Sequence, residues 1–186
     1  MRIISGEYKG RIITTSVPHG VRPTTDQARE TIFNILAGYV EWEEVSVLDL
    51  CAGTGALGFE ALSRGAKHCD FVELNRTTAR QIEETALKFS LESYQYKVHC
   101  MDCLDYLRNY QDNNKVMVIF TDPPYLKKLL NRIVSLIDSQ SILDEGIVVA
   151  EHDAHEVVLP SPNFNKFSSR KFGETIVDFY QYSRID

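Results

Sequence analysis

Asp122-Pro123-Pro124-Tyr125 directly follows the apolar run Val116 to Phe120, and its residue types suit one kind of chemistry. An exocyclic amino group on a nucleic-acid base is a poor nucleophile, because its lone pair is delocalised into the ring. Two acceptors held on its hydrogens localise that pair and aim it. The Asp122 carboxylate and the Pro123 carbonyl supply two such acceptors, and consecutive prolines stiffen the chain that carries them. Tyr125 offers a flat ring on which a base can stack, an interaction worth roughly 1–3 kcal/mol in nucleic-acid binders. Taken alone, Asp-Pro-Pro is also a turn that ends a strand, so its setting has to decide.

The setting is a glycine loop earlier in the chain. Asp49-Leu50-Cys51-Ala52-Gly53-Thr54-Gly55-Ala56-Leu57-Gly58 satisfies G-x-G-x-x-G, and Glu73 lies 20 residues after Gly53. That is also the dinucleotide fingerprint, in which a pyrophosphate sits over the N-terminus of the next helix. Asp49 would repel that anion. It would attract the sulfonium and α-ammonium of S-adenosylmethionine, which carries no phosphate. Two unit charges at ~4 Å gain about 4 kcal/mol at an effective dielectric near 20, before desolvation. Glu73 can accept hydrogen bonds from both ribose hydroxyls, and Asp102 can accept from the adenine amino group. Ala52, Leu74 and Cys103 join Gly53, Gly55, Gly58 and Asp122 as candidate cofactor-lining positions.

Positioning these residues requires a particular order of elements. Apolar runs predict strands over Val45–Leu50, Cys69–Leu74, Tyr96–Cys100, Val116–Phe120 and Ile147–Ala150. Helical spacing between them predicts helices over Gly55–Arg64, Thr77–Leu91, Leu104–Tyr110 and Leu126–Asp138. Such alternation implies a mostly parallel sheet with helices on both faces. Lys166–Arg170 and Ile176–Tyr182, turning at Gly173-Glu174, predict an antiparallel hairpin at the sheet edge. At the other end, Arg2–Ser5 and Gly10–Thr14 read as a short hairpin, Pro18–Pro23 as a loop, and Thr25 or Asp26 as the cap of a helix. The expected division is therefore a hairpin and loop extension over residues 1–24, followed by a catalytic domain over 25–186.

The chain has 186 residues and a net charge of −6, an unpromising total for a nucleic-acid protein. Charge distribution matters more than the total. Met1 to Arg29 holds five basic residues (Arg2, Lys9, Arg11, Arg22, Arg29) against Glu7 and Asp26, and Lys166, Arg170 and Lys171 form a second cluster. A solvated face accounts for the first group equally well. Arg22, Thr24 and Arg29 either touch phosphate or the cofactor's edge, or brace the helix. Cys100 and Cys103 have C-x-x-C spacing, but zinc would need two more ligands, and neither a second C-x-x-C nor an H-x-x-x-H is present. No metal is expected, and His152 and His155 are expected at the surface. No apolar stretch reaches the length of a membrane span or signal peptide, so a cytoplasmic location is expected.

With these motifs in place, the sequence resembles the RsmD-type 16S rRNA guanine-N2 methyltransferases along nearly its whole length. The resemblance is carried by Arg2-Ile3-Ile4-Ser5-Gly6, Lys9-Gly10-Arg11, Asp49 to Gly65 and Asp122 to Tyr125. Most distinctive is Arg22-Pro23-Thr24-Thr25-Asp26, continuing through Arg29-Glu30 to Leu36. The closing Tyr180 falls in a similar edge strand. The resemblance implies a class I, Rossmann-like methyltransferase fold with a seven-stranded sheet. It further implies transfer from S-adenosyl-L-methionine, leaving S-adenosyl-L-homocysteine, to guanine N2 in 16S rRNA of the small ribosomal subunit, by a monomer. Asp122, Pro123 and Tyr125 would be catalytic, and Arg2, Lys9, Arg11, Arg22, Arg29 and Tyr125 would meet RNA. The rivals are a DNA adenine-N6 methyltransferase, which uses the same four-residue motif, and a non-catalytic RNA-binding protein of ribosome assembly. A glutamine-N5 protein methyltransferase would carry Asn where Asp122 stands, and Asp49 disfavours an NAD oxidoreductase.

Overall fold

The computed structural model describes residues 1–13, 25–111, 116–124, 129–140, 142, 143, 145–156, 158 and 161–184. The expected loop from Pro18 to Pro23, with Arg22, and the Tyr125 ring lie outside them. β1 (Ser46–Leu50), β2 (His68–Val72), β3 (Tyr96–His99), β4 (Val116–Thr121) and β5 (Glu145–Asp153) pair in parallel. β7 (Thr175–Ser183) pairs antiparallel with β5, and β6 (Phe164–Phe172) antiparallel with β7. The sheet order is β3-β2-β1-β4-β5-β7-β6. The C-terminal hairpin thus forms as expected, but with its second strand innermost. Tyr180, expected in the edge strand, is flanked on both sides, and β6 holds the edge.

Strand alternation sorts the side chains into two cores. Val47, Phe71, Phe120, Val149 and Phe179 face α1 (Asp26–Leu36), α2 (Ala56–Ser63) and α3 (Arg76–Lys88). Leu48, Val72, Ile119, Val148 and Tyr180 face α4 (Cys103–Arg108) and α5 (Leu129–Ser139). The helices change face where β1 and β4 lie side by side. In a doubly wound sheet this reversal opens a crevice beyond the carboxyl ends of the strands, where ligands bind. Thr25 caps α1, its side chain accepting from the Ala28 N–H at 3.2 Å. Ile32, Phe33 and Leu36 then form its buried stripe.

The N-terminal hairpin is reduced to one antiparallel bridge, Arg2 with Ile12, because residues 5–10 form successive turns. Its Ile3, Tyr8 and Ile13 belong to the same core as α1, α2 and α3. Glu60, fully buried on α2, accepts from the Ile4 and Ser5 N–H groups at 2.8 and 3.0 Å and from Arg64 Nε at 3.0 Å. One turn on, the Ser63 carbonyl accepts from the Glu7 N–H at 2.7 Å and its Oγ from the Tyr8 N–H at 3.0 Å. The segment lies so close that a Cβ on Gly6 would fall 1.7 Å from the Ser63 carbonyl oxygen. Glu60→Ala would strand two backbone donors, at roughly 3–5 kcal/mol for a buried charged acceptor. The expected result is a lower urea midpoint, with faster amide exchange over residues 1–13 than over β1. Equal protection of the two segments in the variant would mean that Glu60 does not hold the segment down.

Candidate active site

β1 leads into a loop in which Cys51, Gly53 and Gly55 all take positive φ (59°, 53° and 71°), which turns the chain sharply into α2. The Ala52 N–H donates to the Val72 carbonyl at 3.0 Å, and the Gly53 N–H to Glu73 Oε2 at 2.8 Å. The loop is therefore fastened to the end of β2. Glu73 Oε1 accepts from the Asn75 N–H at 2.8 Å. A carboxylate offers about four lone-pair sites, so both oxygens retain capacity for ribose hydroxyls. Leu74, 64% exposed, lies open beside Glu73 as an apolar shelf. Asp102 caps α4, with Oδ1 accepting from the Leu104 and Asp105 N–H groups at 2.8 and 3.3 Å. An adenine contact would fall to its other oxygen.

Two expected cofactor positions have further structural duties. The Gly58 N–H donates to Asp49 Oδ2 at 3.0 Å, which ties the carboxylate to the first turns of α2. A Cβ on Gly58 would meet Phe71 Cε1 at 2.3 Å, so this glycine allows helix and strand to pack closely and does not face the loop. Cys103, in the first turn of α4, accepts a hydrogen bond from Cys51 Sγ at 3.5 Å, joining α4 to the glycine loop. This bond and burial hold the Cys51 thiol protonated. Cys100 is exposed and does not share that environment, so the C-x-x-C is not a structural unit.

Asp122 and Pro123 follow β4 at the reversal point, with Pro123 buried and Asp122 half-buried. Burial raises the Asp122 carboxyl well above the usual range, and the charges of Glu151 and Asp49 add to the rise. Asp49, 3% exposed, is pushed up to about 8 by burial, against the Gly58 hydrogen bond and with help from Glu73. Neighbouring strands therefore end in acids that burial and mutual repulsion drive toward the neutral form. Glu151 was not singled out by sequence. Its only signal is that the apolar run Ile147–Ala150 of β5 ends directly in an acid, beside the strand that ends in Asp-Pro-Pro.

The basic residues are distributed less simply. Arg2, Lys9 and Arg11 are exposed. Arg11 donates to the Phe89 carbonyl at 3.0 Å and lies over the Tyr8 ring, 5.2 Å from its centroid. Met1 reaches the glycine loop through Thr54, while Gly6 packs on Ser63 at the far end of α2. The Lys9 turn is thus displaced from the strand ends by about the length of α2, on the order of 12 Å. Arg29 has no surface to offer a phosphate. It is 0% exposed, and its Nη2 donates to the Arg2 carbonyl and to Asp26 Oδ1, both at 2.7 Å. Of the roles open to it, bracing α1 against the N-terminal segment is the one its geometry carries. His155 is exposed, but His152, expected there too, is buried on the opposite sheet face with Nε2 3.3 Å from Asp178 Oδ2. That carboxylate also accepts from Lys166 Nζ at 2.9 Å and Tyr180 Oη at 3.0 Å.

These residues fit a cationic cofactor. Buried acids forced toward neutrality form an environment that a positive ligand stabilises and an anionic pyrophosphate does not. Asp49 and the glycine loop would hold the methionine part, Glu73 the ribose, and Leu74 with Asp102 and Cys103 the adenine. Among the described residues no group of three or more His, Cys, Asp or Glu is arranged to hold a metal ion, and no helix is long and apolar enough to cross a membrane.

Sheet order, reversal point and glycine loop together define an S-adenosylmethionine-dependent methyltransferase fold. The chain superposes on the structure described as putative methyltransferase yhhF from Escherichia coli, with a TM-score of 0.85 and 29% identity over 98% of each chain. Residues 1–181 match the family described as conserved hypothetical protein 95, and the chain belongs to that family, the RsmD family. It is 36% identical to putative rRNA methyltransferase YlbH of Bacillus subtilis, covering 97% of this chain and 98% of that one. It is also 32% identical to ribosomal RNA small subunit methyltransferase D of Haemophilus influenzae, covering 97% and 93%.

Proposed function

We propose that this protein transfers a methyl group from S-adenosyl-L-methionine to the N2 amine of a guanine in 16S rRNA of the small ribosomal subunit. The observation that carries this reading is the placement of Asp122 and Pro123 at the reversal of the sheet, beside Asp49. The names of the full-length relatives supply the substrate class. Bound cofactor supplies an electrophilic methyl group. Asp122 and the Pro123 carbonyl accept the two N2 hydrogens, which returns lone-pair density to the nitrogen. The target base leaves its stack to reach them, with Tyr125 offered as the ring that receives it. Asp122 or water then takes the departing proton. Arg2, Arg11 and, farther off, Lys9 give a local basic surface, which explains how an acidic protein can hold RNA. On this reading it acts in the cytoplasm as a monomer.

The test is transfer of labelled methyl groups to small subunits that lack guanine-N2 methylation, with DNA and free 16S rRNA in parallel and nucleoside analysis of each product. N2-methylguanine in 16S rRNA is the expected result. N6-methyladenine in DNA alone would replace the ribosomal substrate with the DNA one. Tight cofactor binding with label in neither would favour a non-catalytic role in assembly.

A further inference from the structure

Asp-Pro-Pro-Tyr does not choose between guanine and adenine. Either base offers an exocyclic amine whose two hydrogens Asp122 and the Pro123 carbonyl could accept, so the choice must come from another group. The two bases differ beside that amine. Guanine carries a hydrogen on N1, so the lower part of its Watson–Crick edge is a run of donors. Adenine carries a lone pair on N1.

Glu151 is placed to read that difference. β4 and β5 run parallel with Thr121 beside Ala150, so the residues one step further, Asp122 and Glu151, are neighbours at the same end of the sheet. On β5, Val149 faces the core shared with α1 and α2 while Ala150 faces the opposite core. Alternation therefore returns Glu151 to the α1–α2 face. Continuing β4 beyond Phe120 and Thr121 brings Asp122 to that same face. Adjacent strands are about 4.8 Å apart, within the span of one base edge. Glu151 is 5% exposed, and of the charges acting on Asp122 its own is the strongest. The methyl transfer described above does not use this carboxylate, although it lies beside Asp122 at the same end of the sheet.

Building on the guanine-N2 reading, we propose that the Glu151 carboxylate accepts the N1–H of the flipped guanine and thereby selects guanine over bases with a lone pair at that position. Asp122, the Pro123 carbonyl and Glu151 then present only acceptors to the N1 and N2 hydrogens, the donor part of the guanine edge. Adenine at the same place would set its N1 lone pair against a carboxylate oxygen. A site built to accept a hydrogen rejects the analogue that lacks it more strongly than an apolar pocket rejects a change of shape. Loss of one hydrogen bond to a charged group corresponds to roughly 100-fold.

The experiment first maps the methylated guanine with the wild-type protein. RNA is then prepared with guanine or 2-aminopurine at that position. 2-Aminopurine keeps the N2 amine but has a lone pair at N1 and no oxygen at C6, so the change of preference on altering Glu151 reports on N1. The wild type should favour guanine by roughly 100-fold in kcat/KM. Glu151→Gln, whose amide can turn to donate to N1, should shrink that ratio at least tenfold while leaving S-adenosylhomocysteine affinity within about twofold. Glu151→Asp, which keeps the carboxylate but withdraws it, should slow guanine and preserve the preference. Binding gives a second readout with S-adenosylhomocysteine present: the affinity gap between the two RNAs should narrow in Glu151→Gln, followed through 2-aminopurine fluorescence as the base unstacks. If both substrates weaken equally in Glu151→Gln, or the wild type shows no preference, Glu151 does not read N1. If the wild type produces no N2-methylguanine at all, the functional reading itself fails, and the first step shows that separately.

Discussion

Asp122→Asn should lower single-turnover methylation of the small subunit by roughly a thousandfold, within the range seen when a group that handles a proton in the transition state is lost. Cofactor affinity should change no more than about threefold. The asparagine keeps the size of the side chain but replaces one acceptor oxygen with a donor, which opposes an amine hydrogen where the carboxylate would accept it. The burial that raises the Asp122 carboxyl also predicts the direction of the pH profile. The group keeps its proton to a higher pH than an ordinary carboxyl, so the single-turnover rate should rise with pH along a limb displaced upward and then level as the acid ionises. Asp122→Asn should flatten that limb. Single-turnover rates from pH 6 to 9, with S-adenosylhomocysteine titrations alongside, separate the two effects. A parallel loss of rate and cofactor affinity would place Asp122 in binding and leave the chemistry to other groups.

Asp49→Asn should do the opposite, weakening S-adenosylmethionine by roughly 100-fold with a smaller change in the rate of bound substrate. The size follows from two opposing quantities. A carboxylate and a cation in contact gain about 4 kcal/mol at an effective dielectric near 20. Ionising a group pushed up to about 8 costs roughly 1 kcal/mol at pH 7. Roughly 3 kcal/mol remains, on the order of a hundredfold. The sign of the pH dependence follows from the same numbers. The free protein carries a proton on Asp49 that the cation-bound form gives up, so fewer protons are bound in the complex and affinity rises with pH. The rise should level off above about pH 8. Titration calorimetry in buffers of different ionisation enthalpy should detect close to one proton released at pH 7. The amide in Asp49→Asn cannot ionise, yet its oxygen can still accept from the Gly58 N–H. In that variant affinity should therefore be flat with pH while the helix stays anchored. Flat affinity in the wild type would remove Asp49 as the group that meets the positive charge.

Much of this arrangement is legible in the sequence, because the signals are local. Strand β1, the glycine loop and α2 are contiguous, and periodicity with loop chemistry specifies them together. The same holds for β4 running into Asp122-Pro123. The antiparallel hairpin of β6 and β7 follows from two alternating runs around Gly173-Glu174. What stayed hidden involves partners far apart in the chain. Glu60 looks like any acid on a helix until Ile4 and Ser5, more than fifty residues away, donate to it. Arg29 has the composition of a phosphate contact, yet 0% of it is exposed once α1 packs under the N-terminal segment. His152 has a surface sequence context and a buried place, because Asp178 arrives from a strand 26 residues later.

The division has a physical cause. Sequence by itself determined the order of strands and helices, the residues that terminate β1 and β4, and the chemistry those terminal residues suit, since each depends on neighbours within a few positions. Tertiary structure decided which acids share one crevice. The reversal at β1 and β4 brings Asp49, Asp122 and Glu151 to adjacent strand ends, and burial there raises the first two. No single segment encodes that proximity or the loss of water that comes with it. It arises only when parallel strands align their ends and the packed helices exclude solvent between them.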